Sequence, residues 1–259
     1  MKTRRKIAHR SRRTARSVRR AGDVYVVVGC KPWNRRVFDE ELSCLPGEWS
    51  FIGTPDELTA AAIRRIKPRY VFFLHWSWKV PAELVERFEC VCFHMTDVPF
   101  GRGGSPLQNL IVRGHRETKL TALRMTGEFD AGPVYGKQPL SLEGSAEEIL
   151  MRASRLSADM IRAIVRENSA PMPQQGEPVV FKRRRPSESA IPAVPTLGAL
   201  HDFIRMLDAD GYPRAFFEHA GFRYEFTRAT LRDGRIVADV TITPVAAPTD
   251  NPSLPAQRK

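Results

Sequence analysis

The sequence predicts an α/β protein: a mostly parallel sheet with flanking helices, then a small α+β unit. Three observations carry that expectation. Short β-branched or aromatic runs alternate with helix-start signals through the first two thirds of the chain. A stretch rich in Pro, Gln, Ser and Arg then breaks the pattern. Beyond it, one amphipathic helix is followed by strand-like runs with no helix between them.

The first strand is Val24-Tyr-Val-Val-Val-Gly29, a buried-type run ending in glycine. Residues 33–43 read as helical, Pro46-Gly47 as a turn, and 49–52 as a second strand. Thr54-Pro55-Asp56-Glu57 is a helix start, with Thr as N-cap and Glu three residues on, and the helix runs to about Ile66. Residues 70–74 form a third strand, a short helix opens at Pro81, and 89–93 form a fourth strand. After Gly101-Arg-Gly-Gly-Ser-Pro106, residues 107–113 read as a helix and 119–124 as a strand. Ser145 caps a long amphipathic helix to Glu167, with Glu148 completing a capping box. The second unit contains a helix over 197–209, a turn at Gly211-Tyr212-Pro213, and strands over 222–226, 230–232 and 235–242. The expected organisation is a basic disordered tail at 1–21, a catalytic domain at 22–170, a linker at 171–196, a small subdomain at 197–244 and a disordered end at 245–259.

Composition excludes several classes. The 259 residues are 42% hydrophobic and 27% charged, which rules out global disorder. No run approaches the ~18 apolar residues of a membrane span. Four cysteines are too few for a disulfide scaffold and fit reduced thiols in a cytoplasmic protein. The net charge of +12 is uneven: residues 1–20 hold ten basic residues and no acid. The other 239 carry 31 basic and 29 acidic residues, so the body is near neutral.

In a parallel sheet, ligands bind at the carboxyl ends of the strands. That places His75-Trp76-Ser77-Trp78 and His94-Met95-Thr96-Asp97 in the crevice. Asp130 lies in Gly127-Glu-Phe-Asp-Ala-Gly-Pro133, a loop bounded by glycine and proline. The glycine-rich stretch matches neither the dinucleotide fingerprint nor the P-loop. Each residue alone has an ordinary structural reading. An Asp before Ala-Gly-Pro is a common turn former, and a His beside a strand is commonly structural. Their order and spacing carry the signal.

Together they resemble the folate-dependent formyltransferases, which transfer a formyl group from 10-formyltetrahydrofolate to a primary amine. The family's active-site strand reads Asn-x-His-Pro-Ser-x-x-Pro, then a glycine-rich stretch and a Pro opening a helix. Here it is Cys92-Phe-His94-Met-Thr96-Asp-Val-Pro99, then Gly101 to Pro106-Leu-Gln-Asn109. The family's Asp-x-Gly-Pro-Ile/Val is Asp130-Ala-Gly132-Pro133-Val134, and Trp76-Ser-Trp-Lys-Val80-Pro81 occupies the place of Tyr-Gly-x-Ile-Leu-Pro. Tyr212-Pro213-Arg-Ala-Phe216 matches a signature of the second domain.

The resemblance implies a Rossmann-like catalytic domain with His94, Asp130, Cys92 and Thr96 as catalytic positions. It implies the folate co-substrate near Trp76, Trp78, Val80, Gly127 and Phe129, and no metal. The acceptor would meet Asp97, Arg102, Gly103, Gly104, Gln108 and Asn109. The acceptor expected first is the amino group of a nucleotide-linked sugar, with methionyl-tRNA as the alternative and a catalytically degenerate folate- or partner-binding module as a further one. The tRNA alternative would set the basic tail and the 182–185 run on phosphates. Cys92 departs from the family, whose Asn holds the formyl oxygen; a thiol is a weak donor, and losing one such donor costs ~10²–10³ in rate. Three outcomes stay open: a different donor serves, with Gln108 and Asn109 in the following helix as candidate amides that spacing does not place; the activity is reduced; or the substrate is handled differently.

Overall fold

A computed structural model describes residues 22–245. The basic tail and nearly all of the expected loose end lie outside the described residues.

The main sheet has six strands, β1 (Val24–Gly29), β2 (Glu48–Ile52), β3 (Tyr70–Leu74), β4 (Cys90–His94), β6 (Glu117–Arg124) and β7 (Val134–Ser141), in the order β2-β1-β3-β4-β6-β7. The pairs β1–β2, β1–β3 and β3–β4 are parallel. The pairs β4–β6 and β6–β7 are antiparallel. Residues of β1 and β3 alternate between two cores, one on each sheet face. Tyr25, Val27, Phe72 and Leu74 join one, with α1 (Pro32–Val37) and α5 (Ala146–Glu167). Val26, Val28, Val71 and Phe73 join the other, with Ile63 of α2 (Ala60–Ile66) and Leu84 of α3 (Ala82–Arg87). The chain steps outward from β1 to β2 and returns across β1 to β3, so the crevice of this fold opens above the ends of β1 and β3.

The capping box of α5 is formed: Glu148 N donates to Ser145 Oγ at 3.3 Å and Ser145 N to Glu148 Oε2 at 2.7 Å. The second helix departs from expectation. The Glu57 carboxylate accepts from the Gly53 and Thr54 backbone N–H groups and closes a turn. The helix therefore starts later, with Thr59 as N-cap to Ala62. The expected 33–43 helix is α1 continued by a wider π turn over Phe38–Leu42.

The expected linker is corrected most. Within 171–196, Met172 bridges Val134, β8 (Val179–Phe181) pairs in parallel with β5 (Phe100–Gly103), and Ala190 bridges Phe216. Phe181 is buried in the main core, stacked edge-on to Phe100. Proline content suggested a spacer, but a few apolar residues are enough to fasten this segment alongside the glycine-rich stretch.

After β5 come α4 (Pro106–Val112) and, beyond a 3-10 turn at Pro186–Ser189, α6 (Leu197–Arg205). α6 is shorter than expected. It packs on an antiparallel sheet of β9 (Ala215–His219), β10 (Phe222–Arg232) and β11 (Arg235–Pro244). The two strands expected over 222–232 are one, with a register shift between Thr227 and Thr230.

Candidate active site

Alternation along β4 sets the site. Cys92 and His94 share one face, and Phe93 and Met95 the other. His94 is buried, and its Nε2 lies 2.8 Å from the Gly101 carbonyl, to which a ring N–H must donate. His94 Nδ1 faces Asp130 Oδ1 at 3.5 Å. The carboxylate thus stands against the ring edge that the Gly101 carbonyl does not occupy.

Asp130 is delivered by the loop joining β6 to β7, with its backbone in the left-handed region at φ 52°, a conformation Asp tolerates better than most residues. Its Oδ2 accepts from the Gly103 N–H at 2.9 Å. Gln174 fastens the loop: its Nε2 donates to the carbonyls of Asp130 and Gly132, both at 2.8 Å. Gln174 Oε1 accepts from Nε and Nη2 of Arg102. Nothing in the sequence pattern pointed to Gln174, because it lies in the proline-rich segment and acts through the backbone of another loop.

The structure brings His94, Asp130, Cys92, Gly103 and Arg102 into one region. Thr96 is fully buried beneath it, donating to the Gly101 carbonyl at 3.3 Å, and so holds the loop that orients His94. Burial pushes the Cys92 thiol up, with the Asp130 carboxylate and Cys90 adding to it, so Cys92 is a protonated thiol.

Other expected acceptor residues are otherwise engaged. Gln108 is buried and donates to the Met206 carbonyl at 3.2 Å. Asn109 Nδ2 is shared among the carbonyls of Gly104, Ser105 and Lys182. Neither amide is free to replace the family's Asn. Asp97 is paired with Lys137 and with Lys119, the latter at 2.9 Å. Burial raises its pKa, but the two ammonium groups outweigh that and hold it below the usual carboxylate range. Gly104 meets the backbone of Arg183 so closely that an added Cβ would lie 2.5 Å from Arg183 Cα.

Of the residues expected near the folate, Trp76 and Val80 pack against the second core, as do Cys92 and Met125. Trp76 Nε1 is buried without a hydrogen-bond partner, an orphan donor at the crevice. Trp78 lies 4.8 Å from Trp76 between ring centroids and is half exposed. Phe129 is 77% exposed and Gly127 has open space around it, so both sit at the rim. Among the described residues no three His, Cys, Asp or Glu side chains are grouped to hold a metal ion, and no helix is long and apolar enough to cross a membrane.

Comparison with known proteins adds four findings. A family model described as methionyl-tRNA formyltransferase, C-terminal domain, matches residues 186–243. A methionyl-tRNA formyltransferase of Methylobacterium nodulans is 31% identical over 160 residues, covering 58% of this chain and 51% of that protein. The chain thus spans about half the length of the curated relatives it matches. Among solved structures, a methionyl-tRNA formyltransferase from Clostridium thermocellum is 44% identical, with a TM-score of 0.82 over 86% of this chain and 100% of that one. HypX from Aquifex aeolicus, solved with tetrahydrofolic acid, shares the fold at 18% identity, with a TM-score of 0.64 over 81% of this chain and 39% of that one.

Proposed function

The chain belongs to the formyltransferase family, and from that premise we propose that it transfers a formyl group from 10-formyltetrahydrofolate to the amine of methionyl-tRNA. The observation that carries the reading is the Asp130 carboxylate held between His94 Nδ1 and the Gly103 N–H. An attacking amine must shed a proton as its new bond to carbon forms, and that proton needs a base at hand. Asp130 Oδ1 takes it and then delivers it to the departing nitrogen, with the His94 ring beside it. His94 is kept in one orientation by the Gly101 carbonyl.

The bound folate would supply the activated formyl carbon. Trp76, Val80 and Met125 fit its ring system as an apolar wall, and the unpartnered Trp76 Nε1 offers a donor to its polar edge. The Cys92 S–H offers a weak hydrogen bond where the family's Asn offers an amide.

The acceptor assignment is supported by the C-terminal family match and by the full-length similarity to the Clostridium thermocellum protein. This reverses the order expected from the sequence. The amino group of a nucleotide-linked sugar is the second reading, supported by the near-neutral body, since tRNA binding draws on phosphate neutralisation. Formyl transfer assayed in parallel on methionyl-tRNA and on a panel of amino-sugar nucleotides separates the two. Turnover confined to a sugar nucleotide would overturn the first reading.

A further inference from the structure

His75 is the first residue past β3 and takes no part in the proton path above. β3 pairs in parallel with β4, whose last residue is His94, so the two histidines stand at the same edge of the sheet. Its backbone is left-handed, at φ 49°. Three contacts gather there from distant parts of the chain. Tyr212 Oη, in the second unit, lies 3.2 Å from His75 Nε2. Cys30, just past β1, donates its S–H to the His75 carbonyl at 3.1 Å. Its neighbour Lys31 donates Nζ to the Asp210 carbonyl at 2.7 Å.

The 208–213 turn is thus gripped above the ends of both β1 and β3, the switch point of the sheet. Its other side is fastened too: Asp210 N donates to Glu147 Oε2 at 2.9 Å, and Glu147 N to the Asp208 carbonyl at 3.0 Å. Glycine suits position 211 because its backbone is left-handed. Its φ is 72°, and an added Cβ would meet Lys31 Nζ at 2.5 Å. Burial lowers the His75 pKa to about 4, with Lys31 contributing. Burial likewise raises Tyr212 to about 12. Both are neutral near pH 7, so the contact is a neutral hydrogen bond whose donor is set by the imidazole tautomer.

We propose that His75 and Tyr212 are positioning residues: their hydrogen bond clasps the 208–213 turn of the second unit over the switch point, so that this turn completes the wall an acceptor meets on its way to His94. The inference rests on the formyl-transfer reading for its kinetic consequence, and on geometry alone for the clasp. It makes the C-terminal unit part of the acceptor site and gives the Tyr-Pro turn a task that an interdomain spacer would not have.

The test uses the full chain with Tyr212→Phe, which removes only the hydroxyl, His75→Asn, which suits a left-handed backbone, and the double variant. The kinetic readout is formyl transfer from 10-formyltetrahydrofolate to methionyl-tRNA. Each single variant is expected to raise KM for the acceptor about five- to tenfold, with KM for the folate and kcat within about twofold. The double variant should be no worse than the weaker single one, because one bond is broken in all three. Equal rises in both KM values, an unchanged acceptor KM, or additive losses would overturn the proposal. Amide hydrogen exchange over 207–213 is measured alongside. Faster exchange in Tyr212→Phe is expected, and unchanged exchange overturns the clasp even if the wild type proves inactive on every acceptor, a result that would instead overturn the formyl-transfer reading.

Discussion

The Gln174 side-chain amide donates to the Asp130 carbonyl at 2.8 Å while its oxygen holds Arg102. One residue from the segment between the two units thereby fixes the loop that presents the proposed base. Displacing a reacting group by about 1 Å can cost ~10² in rate. Gln174→Ala is expected to lower kcat by roughly 10–100-fold with little change in melting temperature, as read by steady-state kinetics and thermal unfolding. Native kcat in this variant would show that the loop holds its own shape.

At Gly104 the glycine-rich stretch touches the 171–196 segment at Arg183. Gly104→Ala forces the backbone of one segment away from the other, and overpacking of this kind costs about 1–3 kcal/mol. Thermal unfolding should show the loss. A variant as stable as the wild type would mean that the 171–196 segment yields freely.

Cys92→Asn restores the amide donor of the family. Because the thiol is held protonated and donates weakly, the account expects kcat to rise, by up to ~10² if the amide reaches the formyl oxygen. A fall in kcat would indicate that the site has been rebuilt around sulfur.

Stability should depend on pH through His75. Its folded-state pKa is about 4, below the ordinary value of 6.5. The unfolded chain therefore binds this proton first as pH falls. The native state keeps its full stability above pH 6.5 and loses part of it between 6.5 and about 4. In His75→Asn this part of the slope should vanish, as followed by denaturant unfolding at several pH values. An unchanged slope would assign the dependence to other groups.

Much of the fold was legible in the sequence, because buried parallel strands are continuous apolar runs and caps have local chemistry. The strand at 70–74 and the Ser145–Glu148 capping box are of this kind. β7 was not foreseen: it is an edge strand carrying Gly136 and Pro139, residues that read locally as breakers yet are tolerated where no further partner strand is needed. β5 and β8 were missed because each is too short to show a period and exists only through the other. In the site, His94 and Asp130 were visible as a motif. The roles of Gln108 and Asn109 were not, since an amide bonded to a distant carbonyl leaves no trace in spacing. Gln174 was invisible for the same reason.

The central claim is that Asp130 takes a proton from an attacking amine. Its most direct test compares the wild type with Asp130→Asn in formyl transfer from 10-formyltetrahydrofolate to methionyl-tRNA. Asn keeps the acceptor oxygen that the Gly103 N–H requires, so the loop is preserved, but it cannot take up the proton. The account predicts turnover in the wild type and a kcat lower by ~10²–10⁴ in the variant, with the folate still bound. A variant that turns over at the wild-type rate, or a wild type that formylates no amine at all, would contradict it.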